Sequence, residues 1–415
     1  MGKACRLRPR RAWASWARDR GEASKMAAFL FVFRRRRRYL DHANAFDMDD
    51  VDFQRHYRLS KDVVRWLCDE LRDDPGLRRW SRARTVVTVE QQVLVALRFF
   101  ATGSYQGLVG SDRNLSVHQT TVSSAVRAVA VAIVRRLGPA WVAFAETVEE
   151  RAATQEAFLR RGTLPGVVGC VDGTFVAIKG PSRFDRTVTK ALYWCRKLHY
   201  ALNVMVVCDA NMRILAVDPS MPGCSHDALV WRQSWVRQQC IAGRLIRHGE
   251  YLLGDSGYPL EPWLMTPVPG RPAVSTPAGR YNAAHASMRS VVERCIGLLK
   301  SRFRCVQKHR VLYHHPRIAG TIVAACAVLH NICLSAGESD PGSSSSESES
   351  SSGSDDDSEA DESSDAARER RILQSRRLYI EGKAMRDQLV LGATTSHVRR
   401  VRRRLHRIRH RGRHQ

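Results

Sequence analysis

The chain has 415 residues, 44% of them apolar, which is enough for one sizeable globular domain and a smaller second one. Lysine and arginine outnumber aspartate and glutamate by 67 to 41, giving a formal net charge of +26. Such a charge favours a polyanionic partner, with nucleic acid ahead of an anionic membrane. We expect no uncharged apolar run to approach the roughly 20 residues needed to span a bilayer, which excludes a membrane-spanning chain at this stage.

The eleven cysteines follow no CxxC spacing, which argues against zinc ribbons. Most of them lie inside apolar runs such as VMVVCDA and VAACAVLHN. A disulfide framework is therefore not expected either. We predict buried thiols in a reducing compartment, where they act as small apolar side chains.

The first third of the chain predicts a basic arm and a helical domain. Residues 1–45 are rich in arginine, including the unbroken run 34–38, and are predicted to be disordered. This arm is either a nuclear-import signal or a solvated charge run. From 46 to 150 apolar residues recur at helical spacing, which predicts a small all-helical domain. Its stretch SVHQTTVSSAVRAVAVAIVRRL, capped by Ser116 or a nearby threonine, fits either the reading helix of a helix-turn-helix or an ordinary amphipathic helix in a bundle.

Residues 160–335 change period and predict an α/β domain. Apolar, β-branched runs punctuated by Asp, Asn and Gly predict strands in GVVGCVDGTFVAIKG, HYALNVMVVCDANMRILAVDP and EYLLGDSGYP. Helical stretches are predicted in DALVWRQSWVRQQCIAG, SMRSVVERCIGLLKSRF and RIAGTIVAACAVLHNICLS. The order of strands and helices predicts a mixed sheet flanked by helices.

Two charged segments follow this domain. Residues 338–366 form an acidic, serine-rich tract with almost no apolar content, and are predicted to be a disordered linker. Residues 367–415 combine a basic helical segment with an arginine- and histidine-rich tail. That tail is predicted either to bind phosphates without regard to sequence or to act as a nuclear signal. The predicted location is the nucleus, and the cytoplasm stays open.

Three aspartates stand inside or next to apolar segments. Asp172 lies between two apolar runs and precedes Gly173, so it marks either a tight hairpin turn or a carboxylate anchored on a central strand. Asp227 opens a helical stretch, where an acid is also favoured as a cap. Asp255 ends the apolar run YLLGD, either as a turn acid or as a rigidly held metal ligand.

A fourth acid, Glu293, lies on a predicted helix at the edge of an apolar stripe, which predicts a half-buried carboxylate. Gly297, one turn further along, leaves space beside it, and Lys300 and Arg304 continue the same line. This pattern fits a helix that holds a metal ion and grips the adjacent phosphate backbone. An ion pair with Arg289, four residues earlier, is the alternative.

Turns and caps explain each acid singly but explain the group poorly. Asp209 and Asp218 serve as controls, because they have no companion feature and are assigned to turns. Acids that close separate apolar elements of a strongly basic protein are most easily explained if a doubly positive ion lies between them.

Six segments in one order carry a resemblance to a known family: CVDGTFVAIKGP, RKLHYALNVMVVCD, PGCSHDALV, LLGDSGYPLEPWLMTP, YNAAHASMRSVVERCIGLLKSRFRC and AVLHN. The chain resembles the PIF/Harbinger transposases and the nucleases derived from them, within the broad DDE group. The similarity covers roughly residues 160–335 and, more loosely, the helical region before them. It implies an α/β, RNase H-like mixed sheet flanked by helices, preceded by a small all-helical domain, with disordered termini.

The resemblance implies a metal-dependent DNA endonuclease. Asp172, Asp255 and Glu293 would be catalytic and, together with Asp227, would bind Mg²⁺ or Mn²⁺, hard ions that prefer carboxylates. Two such ions would activate water and stabilise the leaving 3′ oxygen in phosphodiester hydrolysis. A full transposase would then use the freed 3′ hydroxyl for strand transfer. A domesticated DNA-binding or chromatin-associated protein that keeps the fold without cutting is the alternative.

The expected partners follow from charge and from the resemblance. DNA is the first, and the resemblance also implies a separate Myb-like DNA-binding protein. A homo-oligomer stays open, and no membrane is expected. The cations predicted to contact DNA are Lys179, Arg196, Lys197, Lys300 and Arg304.

Overall fold

The computed structural model describes residues 43–77, 87–182, 184–338 and 365–392. Most of the arginine-rich arm, nearly all of the acidic serine-rich tract and the arginine- and histidine-rich tail lie outside the described residues. The disorder and the nuclear signals predicted for those segments therefore concern residues outside the described ranges and stay predictions.

The first part of the described chain is helical, as its apolar spacing predicts. Its helices are α1 (Asp50–Tyr57), α2 (Lys61–Leu71), α3 (Val89–Thr102), α4 (Gln106–Gly110), α5 (Gln119–Trp141) and α6 (Val148–Leu159). Helix α3 begins at a capping box, in which Thr88 and Gln91 each bond the other's backbone. Helix α6 begins at a second one, formed by Thr147 and Glu150. Short local signals therefore set where these helices start.

Helix α5, which contains the stretch SVHQTTVSS, begins at a histidine. The backbone N–H of Thr120 donates to Nδ1 of His118 at 3.3 Å. Ser116 lies outside the helix with φ +43°. The prediction that Ser116 or a threonine caps this helix is therefore wrong. The first turn is exposed and the later apolar face is buried, and the reading-helix interpretation stays a prediction.

Six strands form one mixed sheet. They are β1 (Val167–Ala177), β2 (Trp194–Cys195), β3 (His199–Cys208), β4 (Ile214–Pro222), β5 (Tyr251–Leu253) and β6 (Leu264–Met265). Strand β3 pairs antiparallel with β1, β2 and β4. Strand β1 pairs parallel with β5, which pairs parallel with β6. Strand β1 is therefore central, between the antiparallel and the parallel part of the sheet.

Both faces of the sheet are covered by helices. On one face, α7 (Asp227–Gln233) and α8 (Trp235–Ile241) pack against the sheet in a smaller apolar cluster. On the other face, α9 (Pro277–Arg302) and α10 (Pro316–Ser335) share one large cluster with the first helices of the chain. A strand buried on both faces needs apolar residues at nearly every position, and β3 meets this with HYALNVMVVC. The predicted mixed sheet flanked by helices is confirmed, the arrangement expected of a DDE nuclease fold.

The helical stretch predicted after Asp227 is two helices rather than one. Ser234 lies between them, and its hydroxyl donates to the carbonyl of Trp231 at 2.8 Å. The same hydroxyl accepts the N–H of Arg237 at 3.2 Å and so caps α8. A buried serine that bonds backbone on both sides breaks the helix without a proline or glycine.

Helix α10 corrects the expectation that no apolar run is long enough to cross a membrane. By length and composition alone its 20 residues could cross a membrane, but 72% of its most apolar 18-residue stretch is buried inside the protein. The helix packs against α5 and β4. Its apolar character is accounted for by these contacts in the core.

A last helix, α11 (Asp365–Gly392), packs on α9 and β6. A Cβ added at Gly382 would lie 2.8 Å from the backbone of Glu261, so glycine permits the close contact. The guanidinium of Arg386 donates to the carbonyl of Pro267 at 3.0 Å. The C-terminal extension therefore contributes a helix that touches the body of the protein.

Within the described ranges, ten cysteines are present as free thiols and only Cys224 is exposed. The sulfur atoms of Cys305 and Cys326 are 3.8 Å apart. This is too long for a disulfide bond of about 2.05 Å. The prediction of buried thiols is confirmed for the described cysteines other than Cys224.

Candidate active site

Strand β1 opens to solvent at one place. Its eleven residues are buried except for the four at 172–175, which are partly exposed. Asp172 lies at the start of this opening and pairs across the sheet with Val206. The Asp172–Gly173 step is therefore in mid-strand, and the hairpin-turn interpretation is wrong. The backbone that carries this carboxylate is held by its pairing with β3, while the pairing of β1 with β5 ends two residues earlier, at Cys170.

Asp227 reaches the same place from the start of helix α7. Its Oδ1 accepts a hydrogen bond from Nδ2 of Asn203 at 3.1 Å, and the same amide donates to the carbonyl of Ser225 at 2.8 Å. The N-cap residue is His226, without a side-chain cap bond, and Asp227 is the first residue of the helix, where the helix dipole also favours an acid. A Cβ added at Gly173 would lie 2.5 Å from Oδ1 of Asp227. Glycine at 173 therefore lets this carboxylate approach the strand.

Asp255 follows strand β5 after one glycine. Its Oδ1 accepts the backbone N–H of Gly257 at 2.9 Å, which makes a side-chain turn. A Cβ added at Gly257 would lie 3.2 Å from Oδ1 of Asp255 and 3.9 Å from Oδ2 of Asp227. The two interpretations from the sequence are thus compatible, because the turn orients a carboxylate that borders Asp227. We call Asp172, Asp227 and Asp255 the acidic pocket.

Glu293 connects to the acidic pocket through an arginine. Its side chain is 51% exposed, in agreement with the half-buried prediction. On the same helix, Nη2 of Arg289 donates to Oε1 of Glu293. The other terminal nitrogen, Nη1, donates to Oδ2 of Asp172 at 3.4 Å. The ion pair that the sequence offered as an alternative is present, and one guanidinium bridges two of the acids predicted to be catalytic.

The pKa values of the pocket residues reflect how closely the acids approach one another. Burial raises the pKa of Asp172 to about 7 against the opposing effect of Arg289, and Asp255 and Asp227 raise it further. Burial also raises the pKa of Asp227, opposed by the hydrogen bond from Asn203 and assisted by Asp255. Burial acts to lower the pKa of Arg289, but Asp172, Glu293 and Asp255 outweigh it and raise that pKa. The pocket therefore favours a cation.

The donor set suits a hard divalent ion, because carboxylate oxygens are the ligands that Mg²⁺ and Mn²⁺ prefer. Among the described residues, however, no three His, Cys, Asp or Glu side chains are already arranged to hold a metal. Instead, the guanidinium of Arg289 forms ion pairs with two of the four candidate acids, Asp172 and Glu293. Binding of an ion by all four would require this guanidinium to release Asp172 and Glu293.

Tyr258 lies buried close to the acidic pocket. Its side chain is 5% exposed, and its hydroxyl has no hydrogen-bond partner in the described part of the chain. Burial raises the pKa of this phenol, and Asp227 and Asp172 add to the rise. A buried hydroxyl without a partner costs about 1–3 kcal/mol. Such an orphaned donor beside carboxylates is consistent with a pocket built for a further polar occupant.

Three of the predicted DNA-binding cations gather around one aromatic ring next to the pocket. The charged ends of Arg196 and Lys197 each lie 5.8 Å from the ring centroid of Phe175. Lys300 Nζ donates to the carbonyl of Phe175 at 3.4 Å. Arg196 also acts to lower the pKa of Asp227, which places it near the acids. Positive charge therefore borders the acidic pocket where a phosphate backbone would enter.

The other two predicted cations lie elsewhere. Lys179 is exposed just past the end of β1, with Nζ 5.9 Å from the ring centroid of Tyr313. Arg304 is exposed after the end of α9 and acts to lower the pKa of Arg58, which belongs to the helical region. The five cations are thus not one cluster.

Sequence reasoning gave no role to two residues of the site. Asn203 positions Asp227, and its signal was a lone amide in the otherwise apolar run HYALNVMVV, since buried polar residues are rare and informative. Tyr258 gave no signal, because a tyrosine after GDSG is equally common in a turn. For Arg289 the helical spacing to Glu293 was visible, whereas its reach to Asp172 depends on how α9 packs on β1. Of the two control acids, Asp209 accepts turn N–H groups as predicted. Asp218 lies within strand β4, where it pairs with Met205 and accepts from Ser220, so its assignment to a turn is wrong.

Comparison with known proteins shows the family of the chain. The sequence model of the family described as "DDE superfamily endonuclease" matches residues 171–331. The chain is 33% identical over 311 residues to the protein named "Putative nuclease HARBI1" of Bos taurus, covering 74% of this chain and 84% of that protein. The Homo sapiens protein of the same name matches with the same identity and the same coverage.

A plant relative is more distant. The chain is 27% identical over 321 residues to the Arabidopsis thaliana protein named "Antagonist of like heterochromatin protein 1", covering 70% of this chain and 74% of that protein. No solved structure matches the chain.

Proposed function

Because this chain belongs to the DDE superfamily endonucleases, the family of the Harbinger-derived nucleases, we propose that it is a divalent-metal-dependent endonuclease that hydrolyses phosphodiester bonds in DNA. The observation that carries the proposal is the convergence of three aspartates from β1, α7 and the loop after β5. In an otherwise basic protein, such partly buried like charges are stabilised by a bound cation, which favours their charged form.

In the proposed enzyme Asp172, Asp255 and Glu293 are catalytic, and all four acids hold Mg²⁺ or Mn²⁺. When bound, such an ion supplies Lewis-acid stabilisation of charge on the phosphate and lowers the pKa of water. The protein's own part is positioning. Asn203 and the turn at Gly257 orient two of the carboxylates, while the cations around Phe175 hold the DNA backbone.

A second candidate function is a domesticated DNA-binding or chromatin-associated protein that keeps the fold without cutting. The observation that favours it is the guanidinium of Arg289 lying between Asp172 and Glu293. The plant relative's name, which refers to heterochromatin, points the same way. Under either function we propose a nuclear location, a separate Myb-like partner and DNA as the ligand.

Nicking of supercoiled DNA separates the two candidates. We expect the wild-type chain to convert supercoiled plasmid to the open circle with Mg²⁺ or Mn²⁺, and not with chelator. Asp172→Asn, Asp255→Asn and Glu293→Gln should each lower the rate by at least about 100-fold, since each removes a charge on which the reaction centre depends. Asp218→Asn is the matched control, because this acid accepts hydrogen bonds from Ser220 within its own strand, and it should nick at the wild-type rate.

Two outcomes contradict the enzyme. Nicking that survives in all three pocket variants would show that another site or a contaminant cuts. A wild-type chain that binds DNA but never nicks it, with either metal, would favour the non-cutting protein.

A further inference from the structure

A row of exposed aromatic side chains begins where strand β1 leaves the acidic pocket. We call it the aromatic strip; it consists of Tyr105, Tyr313, Tyr200 and Trp194. Three of these rings are well exposed, with Tyr105 at 70%, Tyr313 at 56% and Trp194 at 45%. Large apolar side chains are normally buried, so several exposed together call for a partner.

The aromatic strip is continuous because it is built on both sides of the segment that follows β1. On one side Lys179 bonds the backbone of Leu312, which places Tyr313 beside it. On the other side a Cβ added at Gly180 would lie 2.7 Å from the ring of Tyr200. Each flank is extended by a second ring.

Two ring pairs form these flanks. The rings of Tyr105 and Tyr313 have centroids 6.2 Å apart, and those of Trp194 and Tyr200 are 5.0 Å apart. The first pair joins the helical region to the segment between α9 and α10, and the second joins β2 to β3. Four different parts of the chain therefore contribute rings to one surface.

Cations are interleaved with these rings. Nζ of Lys179 lies 5.9 Å from the centroid of Tyr313, and Nζ of Lys190 lies 5.2 Å from that of Tyr200. Further along β1, towards the acids, Arg196 and Lys197 flank Phe175. Aromatic faces for stacking, with positive charge beside them for phosphates, are the elements with which proteins bind single-stranded nucleic acid.

We infer that the aromatic strip stacks on unpaired bases of the DNA strand whose phosphodiester bond lies at the acidic pocket. This inference rests on the proposed function, because the nuclease family is what makes DNA the ligand. A duplex keeps its base faces stacked inside, so exposed rings recognise a strand that is already open, as at a frayed end or an overhang.

The strand geometry sets the length of that open segment. From Asp172 to Lys179 the chain advances seven residues, about 23 Å at roughly 3.3 Å per residue. Stacked nucleotides rise about 3.4 Å each. An overhang of roughly seven or eight nucleotides therefore reaches from the acidic pocket to the aromatic strip.

Fluorescence anisotropy with the full chain tests this inference. The probes are a labelled DNA duplex, the same duplex with an overhang of about eight nucleotides, and the same overhang made of abasic sites, all in chelator so that nothing is cut. We expect the natural overhang to bind at least about fivefold more tightly than the abasic one, the lower end of one stacked base. The abasic overhang carries the same phosphates, so the basic segments of the chain contribute equally to both.

Variants test whether the aromatic strip causes this difference in affinity between the natural and the abasic overhang. Tyr105→Ala together with Tyr313→Ala should remove most of the preference for natural bases, whereas the two phenylalanine variants keep the rings and should retain it. Tyr379→Ala is the matched control, an exposed tyrosine on α11, 51% exposed, and should bind like the wild type.

Equal affinity for the natural and the abasic overhang would overturn the inference, and so would a preference that survives the double alanine variant. An RNA overhang bound more tightly than the DNA one would overturn the assignment to DNA. The assay contains no cleavage step. A chain that never nicks can therefore still show stacking, and a chain without stacking can still nick duplex plasmid.

Discussion

The middle of strand β1 and the segment just after it deal with charge in opposite ways. At Asp172 the chain brings acids together in a partly buried pocket, and the single guanidinium of Arg289 pairs with Asp172 and with Glu293 beside it. Seven residues later, at Lys179, it exposes rings and cations to solvent. Buried like charges need a counter-charge from within the protein or from a bound ion, whereas exposed cations and rings are stable alone and available for a ligand. Under the proposed function, the acids in the middle of β1 serve the chemistry, and the rings and cations after it serve binding.

The largest effect is expected from Arg289→Gln, which removes the internal counter-charge. Without divalent ions we expect a loss of about 2–3 kcal/mol in the free energy of unfolding, below the roughly 3–5 kcal/mol of a fully buried pair because the arginine is 20% exposed. Added Mg²⁺ should then raise the melting temperature more than in the wild type, since no guanidinium has to be displaced. Chemical denaturation in chelator and thermal unfolding against Mg²⁺ concentration measure the two effects.

Arg237→Gln is the control for that experiment. Arg237 pairs with Glu261 at 2.8 Å and is similarly buried, but its partner is not one of the candidate metal-binding acids. It should destabilise the protein without altering the response to Mg²⁺. Equal Mg²⁺ responses in the two variants would contradict a cation site at Arg289.

An intermediate effect is expected from Gly173→Ala, next to Asp172 in the middle of β1. The new Cβ would lie 2.5 Å from Oδ1 of Asp227, and such overpacking costs about 1–3 kcal/mol. Gly297→Ala is the matched control, because nothing lies within 4 Å of its Cβ position, and in a helix it should stabilise by roughly 0.4–1 kcal/mol. Urea denaturation of both variants measures the difference. If both changes destabilise equally, the close approach of Asp227 to the strand is wrong.

The smallest effect, for a step of one pH unit, concerns His314 beside the aromatic strip. His314, next to Tyr313, is buried, and burial lowers its pKa to about 4, assisted by Arg127. The unfolded chain has a histidine pKa near 6.5, so it binds the proton first as pH falls. His314 therefore contributes its full stability above about pH 6.5, and that stability is lost between about pH 6.5 and 4, at up to about 1.4 kcal/mol per pH unit.

Comparison of the wild type with His314→Gln isolates this contribution. The unfolding free energy of the variant should fall less steeply over the same pH range, although His285, whose pKa burial also lowers to about 4, remains in both. Denaturation curves at several pH values measure the two slopes. Parallel curves would mean that His314 is protonated equally in the folded and the unfolded chain.

The alternation of apolar and polar residues was sufficient to predict the mixed sheet and most of its helices. Period, length and turn residues are local properties, and they place β1, β3, β4 and α9 close to where they lie. Local rules failed where a neighbour in space overrides them. Asp172–Gly173 has the sequence of a hairpin turn, but both residues pair with β3 in the middle of β1. The run after Asp227 looks like one helix until Ser234 bonds backbone in both directions.

For the site, the sequence by itself determined which side chains are present: four acids in a basic chain, at positions that resemble one family. Which of them meet was decided only by the tertiary structure. Asp227 approaches the strand because position 173 has no side chain, Arg289 reaches Asp172 because α9 packs on β1, and Tyr105 meets Tyr313 from 208 residues away in the chain. Contacts between such distant residues depend on how layers pack, because packing fixes distances that no local spacing encodes.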